Sequence, residues 1–259
     1  TSRNVFLNSL MDQEEIRYRQ DVLKDCLKNQ EVVRDIYRLT IESIENKRRD
    51  WLGFFSNYPD GILSGSIRMM AMFFKLLRRL RKITDTYADN FESEGFINFF
   101  MMIKSELTDE YFDLVDDHLK NLEFREGVLI SVKLGVGNEG TDYILRLPRN
   151  NKNWFKKIFS KRSSVYSIYV DGRDEAGTRT LANLRDRGIN LVANALAQSA
   201  DHIDSFLMNL RTELAFYLGC MNLHNQLKEL DYAAAFPLLE NENKRALSFV
   251  GLYDICLAL

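Results

Sequence analysis

The 259-residue chain has only three prolines, three cysteines and three histidines. So little proline leaves few places where a helix is forced to stop. Cys26, Cys220 and Cys256 are widely spaced, odd in number and form no CxxC. That pattern excludes a disulfide framework and points to a reduced, cytoplasmic protein whose cysteines serve as small buried hydrophobes. His118, His202 and His224 have no second His or Cys at metal-ligand spacing, and no HExxH occurs, so helix-face histidines are expected and no metal site. Neither GxSxG nor GxxxxGK[ST] is present. Asp116 and Asp117 are helix neighbours pointing about 100° apart, which is poor geometry for a shared acid–base pair. No long apolar run exists. The most apolar stretch, Phe96 to Ile103, is about half the ~18 residues a membrane span needs, and Asn98 interrupts it. The opening Thr1-Ser-Arg-Asn4 lacks the basic-then-apolar order of a signal peptide and begins without Met, as expected for a piece of a longer protein. No membrane partner and no catalytic site are expected.

What is present is helix-forming. Hydrophobic residues make up 46%, enough to bury a core. Asp12, with Glu15 three residues on, has the form of a capping box opening a helix that carries Ile16, Arg19, Gln20, Leu23 and Leu27 and ends at Asn29. A second helix is expected from Glu31 to about Trp51, with Val33, Ile36, Tyr37, Ile41 and Ile44 on its apolar face. Gly53 to Gly61 reads as a loop, and Ser64-Gly-Ser66 as the opening of a helix through Ile83. Further helices are expected over Phe96–Leu107 and, capped by Thr108, over Asp109–Leu122.

The period changes at Phe124. Val128–Leu134 and Thr141–Leu147 read as two strands, and Ser164–Val170 as a third. The loop between the first two, Gly135-Val-Gly-Asn-Glu-Gly140, spells GxGxxG. A nucleotide site needs a helix after those glycines, and a strand follows instead, so a hairpin turn is expected. This element is basic. Residues 124–170 hold nine Lys and Arg against three acids, a net of +6 in a chain whose net charge is −2. Lys152, Lys156, Lys157, Lys161 and Arg162 alternate with Trp154, Phe155 and Phe159. They are candidate contacts to nucleic-acid phosphates; the alternative is a solvated short helix that turns its aromatics inward. A second run, Lys75, Arg78, Arg79, Arg81 and Lys82, reads as a solvated helix face.

One very long helix is expected from about Arg179 to about Leu230, roughly 75 Å at 1.5 Å per residue. Ile189, Val192, Leu196, Ser199, Ile203, Phe206, Leu210, Leu214, Tyr217 and Met221 recur three and four apart, as in a helix packed lengthwise against others. Gly188 and Gly219 are possible bends. The fold class is therefore mainly α: a helical core over 1–123, a small basic β element over 124–175, and the long helix with a return segment over 176–259.

Taken together the chain resembles the MutS-type DNA mismatch-repair family. Asp12-Gln-Glu-Glu-Ile-Arg-Tyr-Arg-Gln-Asp-Val22 is similar to the "D-x-x-x-I-x-x-R-Q-x-V" helix opening that family's core, followed by a break at an Asn, here Asn29. Arg187-Gly-Ile-Asn-Leu-Val-Ala-Asn-Ala-Leu-Ala-Gln-Ser-Ala-Asp-His202 resembles a short-form bacterial branch. Leu227-Lys-Glu-Leu-Asp231 is similar to the return of the family's lever to its core, and Leu252–Leu259 to the approach to its ATPase domain. The resemblance implies a non-catalytic core, lever and reduced clamp. It also implies double-stranded DNA as partner through its backbone, and a homodimer in the full-length protein. ATP and Mg would be held by a domain beyond Leu259. The rival expectation is a helical protein–protein scaffold or dimerisation domain that does not touch DNA, marked by an exposed apolar stripe on the long helix.

Overall fold

A computed structural model describes residues 10, 12–51, 58–125, 127–146, 169–171, 173–240 and 247–258. Its helices are α1 (Gln13–Lys28), α2 (Gln30–Trp51), α3 (Pro59–Tyr87), α4 (Glu94–Glu106), α5 (Asp109–Leu122), α6 (Glu175–Glu229) and a short α7 (Ile255–Ala258); strands β1 (Leu129–Leu134) and β2 (Gly140–Arg146) lie between α5 and α6. The fold is mainly α with a two-stranded antiparallel sheet. No described helix is long and apolar enough to cross a membrane.

Local chemistry accounts for most boundaries. Asp12 caps α1 by accepting from Glu14 N at 2.8 Å, and Asn29 closes the helix with its N–H on Asp25 O. Thr108 Oγ1 accepts from Tyr111 N at 3.2 Å at the head of α5. The loop expected through Gly61 is shorter than the sequence suggested. α3 opens at Pro59, not at Ser64, because proline needs no N–H in a first turn and Asp60 suits the positive end of the helix. Residues 52–57 lie outside the described residues.

The chain divides into two compact units, one of Thr1–Asn46, Phe74–Tyr111 and Asp204–Leu259, the other of Lys47–Phe73 and Phe112–Ile203. In the first unit Phe91, Phe96 and Phe100 form a buried aromatic cluster with ring centroids 4.5 to 5.7 Å apart. Each such pair adds about 0.5–1.5 kcal/mol beyond area burial. Gly95 lets α4 approach α1 closely: a Cβ there would lie 2.8 Å from Val22 Cγ2 and from Tyr18 Oη. Gln30 and Asn225 exchange side-chain hydrogen bonds at 2.8 and 3.2 Å, and Arg34 donates to Asn222 at 2.7 Å, fixing α2 to α6. In the second unit Leu63, Ile189 and Ala193 form the buried centre, with Ile62, Ile67, Phe124, Val128 and Leu145 around it.

The long helix is one uninterrupted α6 of 55 residues. Its most buried line is Ala193, Ala200, Leu207, Leu214 and Met221, spaced seven apart, with Ile189 at its head. Over its first half this seam lies one residue beyond the expected Val192, Ser199 and Phe206. Small residues make the deepest contacts there, and a pattern weighted by side-chain size passes over alanine. Leu196, Ile203, Leu210 and Tyr217 flank the seam, half-buried.

Candidate nucleic-acid interface

The described part of the basic element centres on the β1–β2 hairpin. Ile130 pairs with Leu145 and Ser131 with Ile144, and the register shifts by a bulge between Ser131 and Lys133. Asp142, with φ +52°, sits in the facing strand of that irregular stretch. The glycine-rich stretch is the hairpin turn expected from its flanking strands: Gly135 N donates to Glu139 O at 2.8 Å, and Gly137 takes φ +73°, which favours glycine. No helix follows it, so phosphate has no helix N-terminus to meet.

The hairpin seats on α6 at Gly188. A Cβ there would meet three side-chain carbons of Ile130, with Cγ1 at 2.7 Å. Gly188 therefore serves as the seat of the β element and does not interrupt the helix; Gly219 has nothing within 4 Å of a built Cβ and does not interrupt it either.

The cations of this region divide by partner. Lys133 pairs with Asp142 at 2.9 Å, Arg125 with Glu123 at 2.6 Å, Arg185 with Asp60 at 2.6 Å and Arg179 with Glu175 at 3.4 Å. Arg146 instead donates to Ser131 Oγ at 3.2 Å, and Arg187 to Tyr143 Oη at 3.3 Å with its guanidinium 5.5 Å from that ring's centre. Among the described residues their partners are neutral, which leaves both guanidinium charges available to an anion. Sequence reasoning did not single them out. The signal was an Arg on the long helix in register with the seat of the hairpin. The five expected phosphate contacts, Lys152, Lys156, Lys157, Lys161 and Arg162, lie outside the described residues, as do 164–168 of the expected third strand; Tyr169 and Val170 are described and carry no strand pairing.

Elsewhere the chemistry is structural. The run on α3 is partly exposed, as expected, but it also ties the fold: Arg79 pairs with Glu42 at 2.6 Å, and Arg81 bridges Asp85 at 3.0 Å and the Leu107 carbonyl at 2.6 Å. His118 and His202 are exposed and His224 half-buried. Among the described residues no three His, Cys, Asp or Glu side chains come together to hold a metal. Cys26 is fully buried as expected, Cys220 is half-buried, and Cys256 is exposed, contrary to the buried role expected of all three.

Residues 11–230 match the family model of the MutS2 N-terminal domain. No curated protein and no solved structure matches the chain. The match relates the chain to MutS proteins and leaves the roles of core, lever and clamp unassigned. Since it covers well over half of the chain, this protein belongs to the MutS2 N-terminal domain family.

Proposed function

We propose that the chain is the non-catalytic core and lever of a MutS-like DNA-repair ATPase, with the basic β element as a reduced clamp on the duplex backbone. ATP and Mg would be held by a domain outside this chain, and the full-length protein would act as a homodimer in the cytoplasm. The observation that carries the reading is the seating of the hairpin on α6 at Gly188 and Ile189, on a helix that continues unbroken to Glu229. A continuous helix is the kind of element that suits a lever, as a chain of short helices and loops does not. The net charge of +6 over 124–170, which includes Arg146, supports phosphate contact together with Arg187 on the neighbouring stretch of α6; both arginines have neutral partners among the described residues.

Duplex binding tested across a salt series checks this. If Lys152, Lys156, Lys157, Lys161 and Arg162 each meet one phosphate, log K should fall with log salt at a slope of about −4.5. Reversing the five charges to Glu should abolish binding at physiological salt. Binding that ignores both salt and these charges would sink the proposal.

A second reading has its own support. Leu181, Leu184 and Leu191 on α6 are 54%, 40% and 74% exposed, and lie within about 80° of arc on an ideal helix. Such a stripe suits a dimerisation scaffold. Light scattering on Leu184→Glu/Leu191→Glu separates the two readings: a dimer that dissociates while DNA binding is absent in the parent favours the scaffold.

A further inference from the structure

α6 ends where Asp231 takes φ +62° and Tyr232 N donates back to Leu227 O at 2.9 Å. Residues 232–240 then run on without helix or strand, along α1. Gln20 Nε2 donates to the Pro237 carbonyl at 3.1 Å and Gln13 Nε2 to the Glu240 carbonyl at 2.9 Å. The Lys24 ammonium lies 5.4 Å from the centre of the Phe236 ring. The spacings match. Seven residues of helix advance about 10 Å, and three residues of extended chain cover about the same distance. A pair of amides at i and i+7 thus reads two carbonyls three residues apart, whatever side chains lie between them.

Ile16, Leu23 and Leu27 fall on the same face of α1 as the two glutamines. With Phe216 and Cys220 of α6 they line a groove of about 440 Å³, bounded on its other side by Ala234 to Pro237. Of the segment, only Phe236 and Leu239 are half-buried; the rest is exposed. Voids in a packed interior rarely exceed one water molecule. A space of this size is in the range of a binding site and is one the segment covers without filling.

We propose that the α1–α6 groove is an acceptor for an extended apolar peptide, and that residues 232–240 are its resident, detachable occupant. The neutral hydrogen bonds and the cation–π contact that tether it to α1 are each modest in net value, and Tyr253, whose Oη donates to the Ala233 carbonyl at 2.8 Å, lies on the same C-terminal side and can move with it. The segment follows directly on α6, so its docking latches the end of the long helix to the first helix of the chain. The proposal does not depend on DNA contact.

Cys220 in the groove wall is the reporter. Burial raises its pKa, so the thiol should react slowly with an alkylating reagent while the segment is docked. Cys256→Ser removes the exposed thiol, and fully buried Cys26 reports global unfolding. In that background Gln13→Ala/Gln20→Ala and, separately, Phe236→Ala should speed Cys220 modification at least about tenfold with Cys26 silent. A synthetic Tyr-Ala-Ala-Ala-Phe-Pro-Leu-Leu-Glu peptide, the sequence of 232–240, should slow it again in the first variant. An unchanged Cys220 rate in both variants, or no protection by the peptide, overturns the proposal. So does Cys26 reacting in step with Cys220 in both, because the segment would then be part of the folded core and not detachable.

Discussion

Asp25 is a carboxylate 4% exposed on the inner face of α1. It accepts from Ser93 N at 2.7 Å and from Glu92 N at 3.0 Å, the orphan donors ahead of α4. Ser93 stands at the N-cap of α4, and its own side chain makes no capping bond. A carboxylate from a distant helix therefore does the work a local Ser or Asp usually does, and it ties α1 to α4 where Gly95 brings them close. Removing it strands one buried N–H, that of Ser93, and one part-buried N–H, that of Glu92. Asp25→Ala should destabilise the chain by about 3 kcal/mol in urea denaturation, and Asp25→Asn, which keeps one acceptor oxygen, by about half of that. A loss for Asp25→Ala within ~0.5 kcal/mol of zero would contradict this account. The Asp12 cap was legible in the sequence because its partner lies two residues away. Asp25 was not, because its partners lie 67 and 68 residues on. The one local sign was an acid at i+3 from Val22 and adjacent to Cys26, in an otherwise buried line.

At the scale of elements, helices with an amphipathic face and a capping residue were readable, as was the hairpin, whose alternation and glycine-rich turn agree. The start of α3 was not: Tyr58-Pro59-Asp60-Gly61 spells a turn, but Pro59 and Asp60 equally suit a first helical turn, and the burial of Leu63 favours the helix. The seam of α6 was found in period but displaced in phase over its first half, since Ala193 and Ala200 mark close approach by being small. The seat of the hairpin followed the same logic. Glycine inside a helix reads as a bend, whereas here Gly188 makes room for Ile130. The two glycines of α6 give opposite predictions. Gly219→Ala, with open space at its Cβ, should stabilise by about 0.5–1 kcal/mol from helix propensity alone. Gly188→Ala gains the same propensity but overpacks Ile130, at a cost of about 1–3 kcal/mol, so the net should be destabilising. Ile130→Ala added to Gly188→Ala should recover much of that loss in a double-mutant cycle. Equal stabilisation by both glycine substitutions would remove the hairpin from its seat.

For the molecule as a whole, charge is close to balanced, 35 basic against 37 acidic residues, so interaction with DNA has to come from segregation and not from net charge. The segregation was legible in the sequence; Lys152 to Arg162 lie outside the described residues, and the structure singles out Arg146 on the hairpin and Arg187 on α6, where Arg187 meets Tyr143 of the hairpin. Burial sets where the fold is vulnerable to high pH. Burial, then the Asp25 carboxylate, then Cys220, push the Cys26 thiol from 9.0 up to about 12. Burial, then Cys26, push the Tyr217 phenol from 10.0 up to about 12. Both groups are held neutral in the folded chain, and both ionise earlier once it unfolds. Below pH 9 folded and unfolded states alike keep the two protons, and stability is independent of them. Above pH 9 the unfolded chain releases the Cys26 proton while the folded chain retains it. Stability then falls as pH rises, by up to about 1.4 kcal/mol per pH unit for this thiol, until the folded form titrates near 12. Tyr217 adds a second loss that begins about one unit higher, smaller in effect because its ring is only half-buried. Urea denaturation at pH 8, 9, 10 and 11 should show a flat region followed by a decline. Cys26→Ala should delay its onset and Tyr217→Phe should reduce its steepness above pH 10. A wild-type curve flat from pH 8 to 11 would mean that the α1–α6 contact hydrates these groups far more than their burial implies.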